Sequence, residues 1–157
     1  MSRIRTAAAL GAAAALLLTG CASSSTPTET GASDAEAGGA FPVTITHALG
    51  ETTIPAKPER VAAISWGNQD VALALGIVPV GMDAQVWAWS GTADPGVYEW
   101  TSDKLDELGA DLPTLYDTTD GIDFEGISDT TPDIILAAQS GLTADDYSTL
   151  SDIAPVV

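Results

Sequence analysis

Two short apolar runs constrain this chain more than any other feature: Val-Ala-Ala-Ile at residues 61–64 and Pro-Asp-Ile-Ile-Leu-Ala at residues 132–137. Each is too brief for a helix and lacks the alternation of a half-exposed strand, so each reads as a strand buried on both faces, as parallel sheets require. Ser65-Trp66-Gly67-Asn68 follows the first run as a loop, with Asn68 expected as the N-cap and Asp70 in a first helical turn, where the helix dipole favours negative charge. The helix is predicted over residues 69–75 and closes at Gly76. Residues 77–80 are expected to form the next strand, with Pro79 suited to an edge or a strand end. Strand, helix and strand in so short a span argue for a parallel α/β sheet. The unit recurs after the second run: Thr143 with Asp146 resembles a capping box opening a helix over residues 144–152, and residues 153–157 begin a further strand.

Upstream, residues 41–47 alternate apolar and polar and residues 52–54 form a second strand, joined at Leu49-Gly50-Glu51 as a hairpin. Pro55 and Pro58 then stop pairing. Residues 82–120 are long and poorly periodic, and they carry Trp87, Trp89, Tyr98 and Trp100. A loop of this length in a compact domain is usually functional or disordered, and its three tryptophans favour function.

The first forty residues are of another kind. Arg3 and Arg5 precede about twelve apolar residues at 7–18, too few to cross a bilayer core of ~30 Å and suited to an export signal over residues 1–20. Leu18-Thr19-Gly20-Cys21 resembles the bacterial lipobox, in which the cysteine thiol receives a diacylglyceryl group before cleavage on its N-terminal side. Residues 22–40 hold nothing larger and apolar than alanine, so residues 21–40 are expected to be a disordered tether behind a lipidated Cys21. The expected location is the extracytoplasmic face of the cell membrane.

Charge narrows the partners. Without residues 1–20, the basic residues Lys57, Arg60 and Lys104 stand against 22 acids, a net charge of about −19. Such a surface repels phosphate backbones and anionic headgroups, which argues against nucleic acid and against a peripheral electrostatic grip on membranes. A single cysteine and a single histidine, His47, rule out an internal disulfide and multi-cysteine or His-rich metal sites. No Gly-x-Ser-x-Gly, His-Glu-x-x-His or glycine-rich phosphate loop is present, so a surface lipoprotein enzyme is only a minor alternative.

Several segments together resemble the substrate-binding lipoproteins of iron–siderophore ABC importers, the group that includes ferrichrome, ferric-citrate and vitamin B12 binding proteins. They are Thr46-His-Ala-Leu-Gly50, Ile54-Pro-Ala-Lys-Pro-Glu-Arg-Val61, Leu73-Ala-Leu-Gly-Ile-Val-Pro-Val-Gly81, Phe124-Glu-Gly-Ile127 leading into Thr131-Pro-Asp-Ile-Ile135, and Tyr147-Ser-Thr-Leu-Ser-Asp-Ile-Ala-Pro155. The resemblance spans almost all of residues 41–157. It implies an α/β three-layer lobe with a mainly parallel sheet and an N-terminal hairpin. That lobe is half of a two-lobed, helix-linked binding protein, whose spanning helix and second lobe would lie beyond this apparently truncated sequence. It implies a monomer that captures a pre-chelated Fe(III)–siderophore and delivers it to an ABC permease, with no cofactor beyond the lipid and no protein–metal bonds. A haem or cobalamin carrier of the same fold is the alternative; Tyr98, Tyr116 and Met82 are the only placed candidates for a haem axial ligand.

In such sheets the ligand lies beyond the carboxyl ends of the strands. That places Trp66, Gly67 and Asn68 after the strand at 61–64, Trp87 and Trp89 after the strand at 77–80, and Gln139 and Ser140 after the strand at 132–137. Arg60 and Lys57 fall at the opposite strand end, and Lys104 is a faint candidate. With basic residues so scarce, either the second lobe meets the ligand's charge or the ligand is near neutral, such as a ferric hydroxamate, and the latter is favoured. Glu125 matches the family position where a surface glutamate pairs with permease arginines.

Overall fold

The computed structural model describes residues 41–86 and 96–157; the export signal expected at 1–20, Cys21, the tether expected at 21–40 and both Trp87 and Trp89 lie outside the described residues. Strands β1 (Val43–His47) and β2 (Gly50–Ile54) pair antiparallel, with Val43 opposite Ile54 and His47 opposite Gly50, so the expected hairpin is present. The remaining elements alternate as β3 (Val61–Ala63), α1 (Asn68–Ala74), β4 (Gly81–Asp83), α2 (Glu99–Leu108), β5 (Thr114–Tyr116), α3 (Phe124–Asp129), β6 (Ile134–Leu136) and α4 (Ala144–Ser151). The last four strands form one parallel sheet in the order β5-β4-β3-β6.

The period of two along each strand divides the core into two layers. Ala62, Ile64, Ile135 and Ala137 pack with Tyr116 against Ile127 of α3 and Leu150 of α4. Val61 and Ile134 face the other way, toward Ala72 of α1 and Ile54 of the hairpin. Both faces are covered, which explains why the strand runs are continuously apolar. Helix α4 opens on the expected capping box: the Asp146 N–H donates to Thr143 Oγ1 and the Thr143 N–H donates to Asp146 Oδ2, both at 3.1 Å. Beyond α4, Val156 bridges Ile135 in parallel, so the terminal segment does begin to pair beside β6.

At the amino edge of the sheet, Asp133 accepts from the Glu59 and Arg60 N–H groups at 2.8 and 3.0 Å, while Arg60 Nε donates to the Thr131 carbonyl at 2.8 Å. Arg60 is thus committed to joining β3 and β6, far from their carboxyl ends. The hairpin is fastened by Thr52, whose hydroxyl donates to the Val156 carbonyl at 2.6 Å and meets Tyr147 Oη at 2.9 Å. His47 belongs to the same group: Nδ1 accepts from the Leu49 N–H, which leaves Nε2 to donate to Thr52 Oγ1 at 2.9 Å. His47 is thus a satisfied histidine that fastens the hairpin.

Four expectations need correction. The strand predicted at 77–80 lies later, at Gly81–Asp83. Pro79 has no N–H to give, and pairing starts only with the bond from Val80 N–H to the Val61 carbonyl at 2.8 Å. Residues 82–120 are no single long loop, because they contain β4, α2 and β5. Helix α2 buries only Thr101 and Leu105, too thin a stripe to register as a helical period. Asn68 is not the N-cap: Gly67 takes that place with φ +82, and Asn68 is the first residue of α1. Met82 and Tyr116 are wholly buried, so neither side chain is placed to ligate a haem.

Candidate functional site

The strand order reverses at β3, with β4 on one side of it and β6 on the other. Loops leaving β3 and β6 therefore flank the crevice where open α/β sheets bind ligand. Both loops share a backbone device. Ser65 and Gly67 have φ +65 and +82, and Gln139 and Gly141 have φ +56 and +68. A left-handed serine or glutamine costs on the order of 1–3 kcal/mol and persists only where neighbours impose it.

Asn68 laces the two loops together. Its Nδ2 donates to the carbonyls of Ile64 at 2.7 Å and Ala138 at 3.0 Å, and its Oδ1 accepts from the Ala138 N–H at 3.2 Å. The side chain is 5% exposed, so its amide builds the crevice and is occupied in doing so.

Trp66 stands on this edge with 69% of its surface exposed and borders two hollows. One, of about 380 Å³, lies beside the end of β4 and includes Ser65, Asp83, Gln85, Tyr98 and Thr118 in its wall. The other, of about 370 Å³, opens over the crevice between Gly67, Asn68, Asp70, Trp100 and Gln139. Trp100 has two partners there: its indole Nε1 donates to Asp70 Oδ2 at 3.1 Å, and its ring stacks on Tyr98 at 4.4 Å between centroids. Gln139 and Ser140 also border a third hollow near His47, Leu49 and Tyr147. Trp66, Gly67, Asn68 and Gln139 are therefore brought together, and Ser140 lies next to them.

Sequence reasoning missed Asp83, among the described residues the one charged side chain in the wall of the first hollow. Its Oδ2 accepts from the Ser65 N–H at 2.5 Å. Burial pushes its carboxyl up to about 6; the Ser65 bond opposes the rise and the nearby negative charge of Asp123 adds to it. Placing the strand at 77–80 hid this residue, since the carboxyl end then fell before Gly81. Asp70 was read as dipole stabilisation, whereas its carboxylate also accepts from Thr101 Oγ1 at 3.1 Å and so ties α1 to α2. Glu125 sits exposed in the first turn of α3, whose cap is Asp123 accepting from the Gly126 N–H at 2.8 Å. Among the described residues, no group of three or more His, Cys, Asp or Glu side chains is placed to hold a metal ion.

Residues 61–157, the whole parallel sheet and its loops, match the family model described as periplasmic binding protein. The chain belongs to the periplasmic binding protein family. Solved relatives in this family share the lobe. PiaA of Streptococcus pneumoniae TIGR4, in a structure in complex with ferrichrome, is 53% identical, with a TM-score of 0.67 over 72% of this chain and 36% of that one. SirA of Staphylococcus aureus, complexed with staphyloferrin B, is 32% identical, with a TM-score of 0.58 over 73% of this chain and 35% of that one. YhfQ of Bacillus subtilis (strain 168), which carries the name of an ABC transporter substrate-binding lipoprotein, is 48% identical over 40 residues, 26% of this chain and 12% of that one. The chain thus spans little more than a third of the length of the solved relatives, and the periplasmic binding protein lobe it supplies carries one wall of strand-end loops.

Proposed function

We propose that this chain is the ligand-capturing lobe of an extracytoplasmic substrate-binding protein for an ABC importer, and that its substrate is a ferric siderophore of hydroxamate type. The observation that carries the reading is the wall of the first hollow. It is lined by the largely exposed Trp66, by Tyr98, Ala84 and Val86 and by Ser65, Gln85 and Thr118, and among the described residues its single charge is the carboxylate of Asp83. A wall that is aromatic, largely apolar and, among the described residues, without a cation suits a bulky, neutral chelate that arrives with its iron already enclosed. An anionic chelate would need arginine or lysine, and Arg60 is committed at the opposite edge of the sheet. The ferrichrome complex of PiaA supports this choice of ligand class.

In the same reading Cys21 carries the lipid, residues 21–40 are the tether and Glu125 is a docking contact for the permease. The lipoprotein name of YhfQ supports the anchor. The test is tryptophan-fluorescence quenching of the full-length protein by ferrichrome, ferric citrate and haem. Saturable quenching by ferrichrome at micromolar concentration, with weaker response to ferric citrate, is expected. Tighter binding of ferric citrate or haem than of ferrichrome would overturn the hydroxamate reading.

A further inference from the structure

One carboxylate organises the hollow beside β4. Asp83 closes that strand, and its Oδ2 accepts from the Ser65 N–H across the sheet edge at 2.5 Å. Ser65 is the residue forced into left-handed backbone at φ +65, and Trp66 follows it directly. The bond therefore links the end of β4 to the turn that aims the tryptophan. Among the described residues, no basic side chain shares the wall of the hollow with Asp83. A carboxylate kept largely out of water under those conditions works against the fold, and such groups concentrate where a cleft does its work.

We propose that Asp83 is a positioning residue: its ionised carboxylate holds the Ser65 N–H, fixes the left-handed turn and presents Trp66 to the ligand, and its protonation slackens that turn and loosens the ligand. The inference rests on the ligand-binding reading above and adds a means of release to it.

The groups that bear on Asp83 are known from the elements around it. Asp123, capping α3, adds negative charge, and Tyr116 of β5 is buried close enough to feel the Asp83 charge. Ser65 and Trp66 face it from the β3–α1 loop without titrating. With its carboxyl lifted to about 6, Asp83 is mostly ionised at pH 7 and mostly neutral at pH 5. A neutral carboxyl is the weaker acceptor. If the ligand engages only the held turn, affinity falls by up to about tenfold between those two pH values, following the ionised fraction.

Two measurements on the full chain test this. The first follows the Ser65 amide resonance and the Trp66 indole resonance, assigned with Trp66→Phe, from pH 4.5 to 8. Both should titrate together near pH 6 in the wild type and neither should do so in Asp83→Asn. The second measures ferrichrome quenching at pH 7 and pH 5. Wild-type affinity should weaken several-fold at pH 5. Asp83→Asn, whose amide oxygen still accepts from Ser65, should bind with intermediate affinity at both pH values, and Asp83→Ala should bind more weakly with no pH dependence. A Ser65 amide that ignores pH, or one that titrates equally in Asp83→Asn, overturns the positioning role. A titrating amide with pH-independent ferrichrome affinity overturns the link to release. Absence of ferrichrome binding at either pH overturns the ligand reading itself, an outcome distinguishable because the amide titration is read without ligand.

Discussion

Asp83 keeps its charge where burial disfavours it, and the sign of that conflict makes a stability prediction. A carboxyl raised from 3.8 to about 6 in the fold stabilises the folded chain only while protonated. That contribution is complete below about pH 3.8 and is lost as pH rises through about 6, so at pH 7 the ionised side chain costs on the order of 1–3 kcal/mol. Asp83→Asn should therefore raise the urea midpoint at pH 7, with the gain shrinking toward nothing at pH 4. A variant less stable than wild type at pH 7 would mean that the Ser65 bond outweighs the burial cost. Trp66 illustrates the other side of reasoning at this scale. Its place directly after a buried strand made it a candidate on sequence alone, and its side chain is largely exposed at the crevice. Asn68 was a candidate by the same rule, yet its amide is taken up by the Ile64 and Ala138 backbone. Nothing in the order of residues says which of two neighbours faces outward.

Among the elements, the short strands are specified by packing more than by propensity. Gly81 opens β4, although glycine is a poor strand former. The reason is visible across the sheet: a Cβ at Gly81 would collide with the ring of Tyr116, which is wholly buried and held at its hydroxyl by Thr130 Oγ1 at 2.8 Å. The ring has little room to yield, so Gly81→Ala should destabilise the chain by about 1–3 kcal/mol in denaturant unfolding. A cost below 0.5 kcal/mol would show that the Tyr116 ring relaxes freely. The same contact explains why β4 was misplaced from sequence. The β-branched run at 77–80 carries the stronger local signal, and only the partner strand reveals that pairing begins after Pro79. Helix α2 was missed for a related reason: its stability comes from contacts such as Thr101 with Asp70 of α1, which sequence spacing cannot display. By contrast, the hairpin, β3, α1, β6 and α4 were legible because each carries its own pattern or cap.

For the whole molecule, the two consequences concern where the protein resides and what it meets. If Cys21 bears the lipid, Cys21→Ser should shift the protein from the membrane fraction to the soluble fraction while ferrichrome quenching is unchanged. Retention in the membrane fraction would remove the anchor. If Glu125 docks to a permease, Glu125→Ala should reduce siderophore uptake by whole cells several-fold and leave binding by the purified protein intact; unaltered uptake would remove the docking role. Its exposed position in the first turn of α3, outside the hollows described, is what allows the two effects to separate.

The layer architecture is written in local patterns, because a strand buried on both faces must be apolar throughout and a helix that begins at a capping box announces its own start. The sequence by itself also limited the charge that the strand-end loops can present, since a chain this acidic has few cations to place there. Only the tertiary structure decided which strand-end residues meet. The crevice depends on the reversal of strand order at β3 and on hydrogen bonds between residues up to seventy positions apart, as from Asn68 to Ala138. The pairing of Asp83 with Ser65 likewise appears only when parallel strands bring their carboxyl ends to one edge. Local patterns record the burial of each element, whereas a site arises from the register between elements, and no single segment encodes that register.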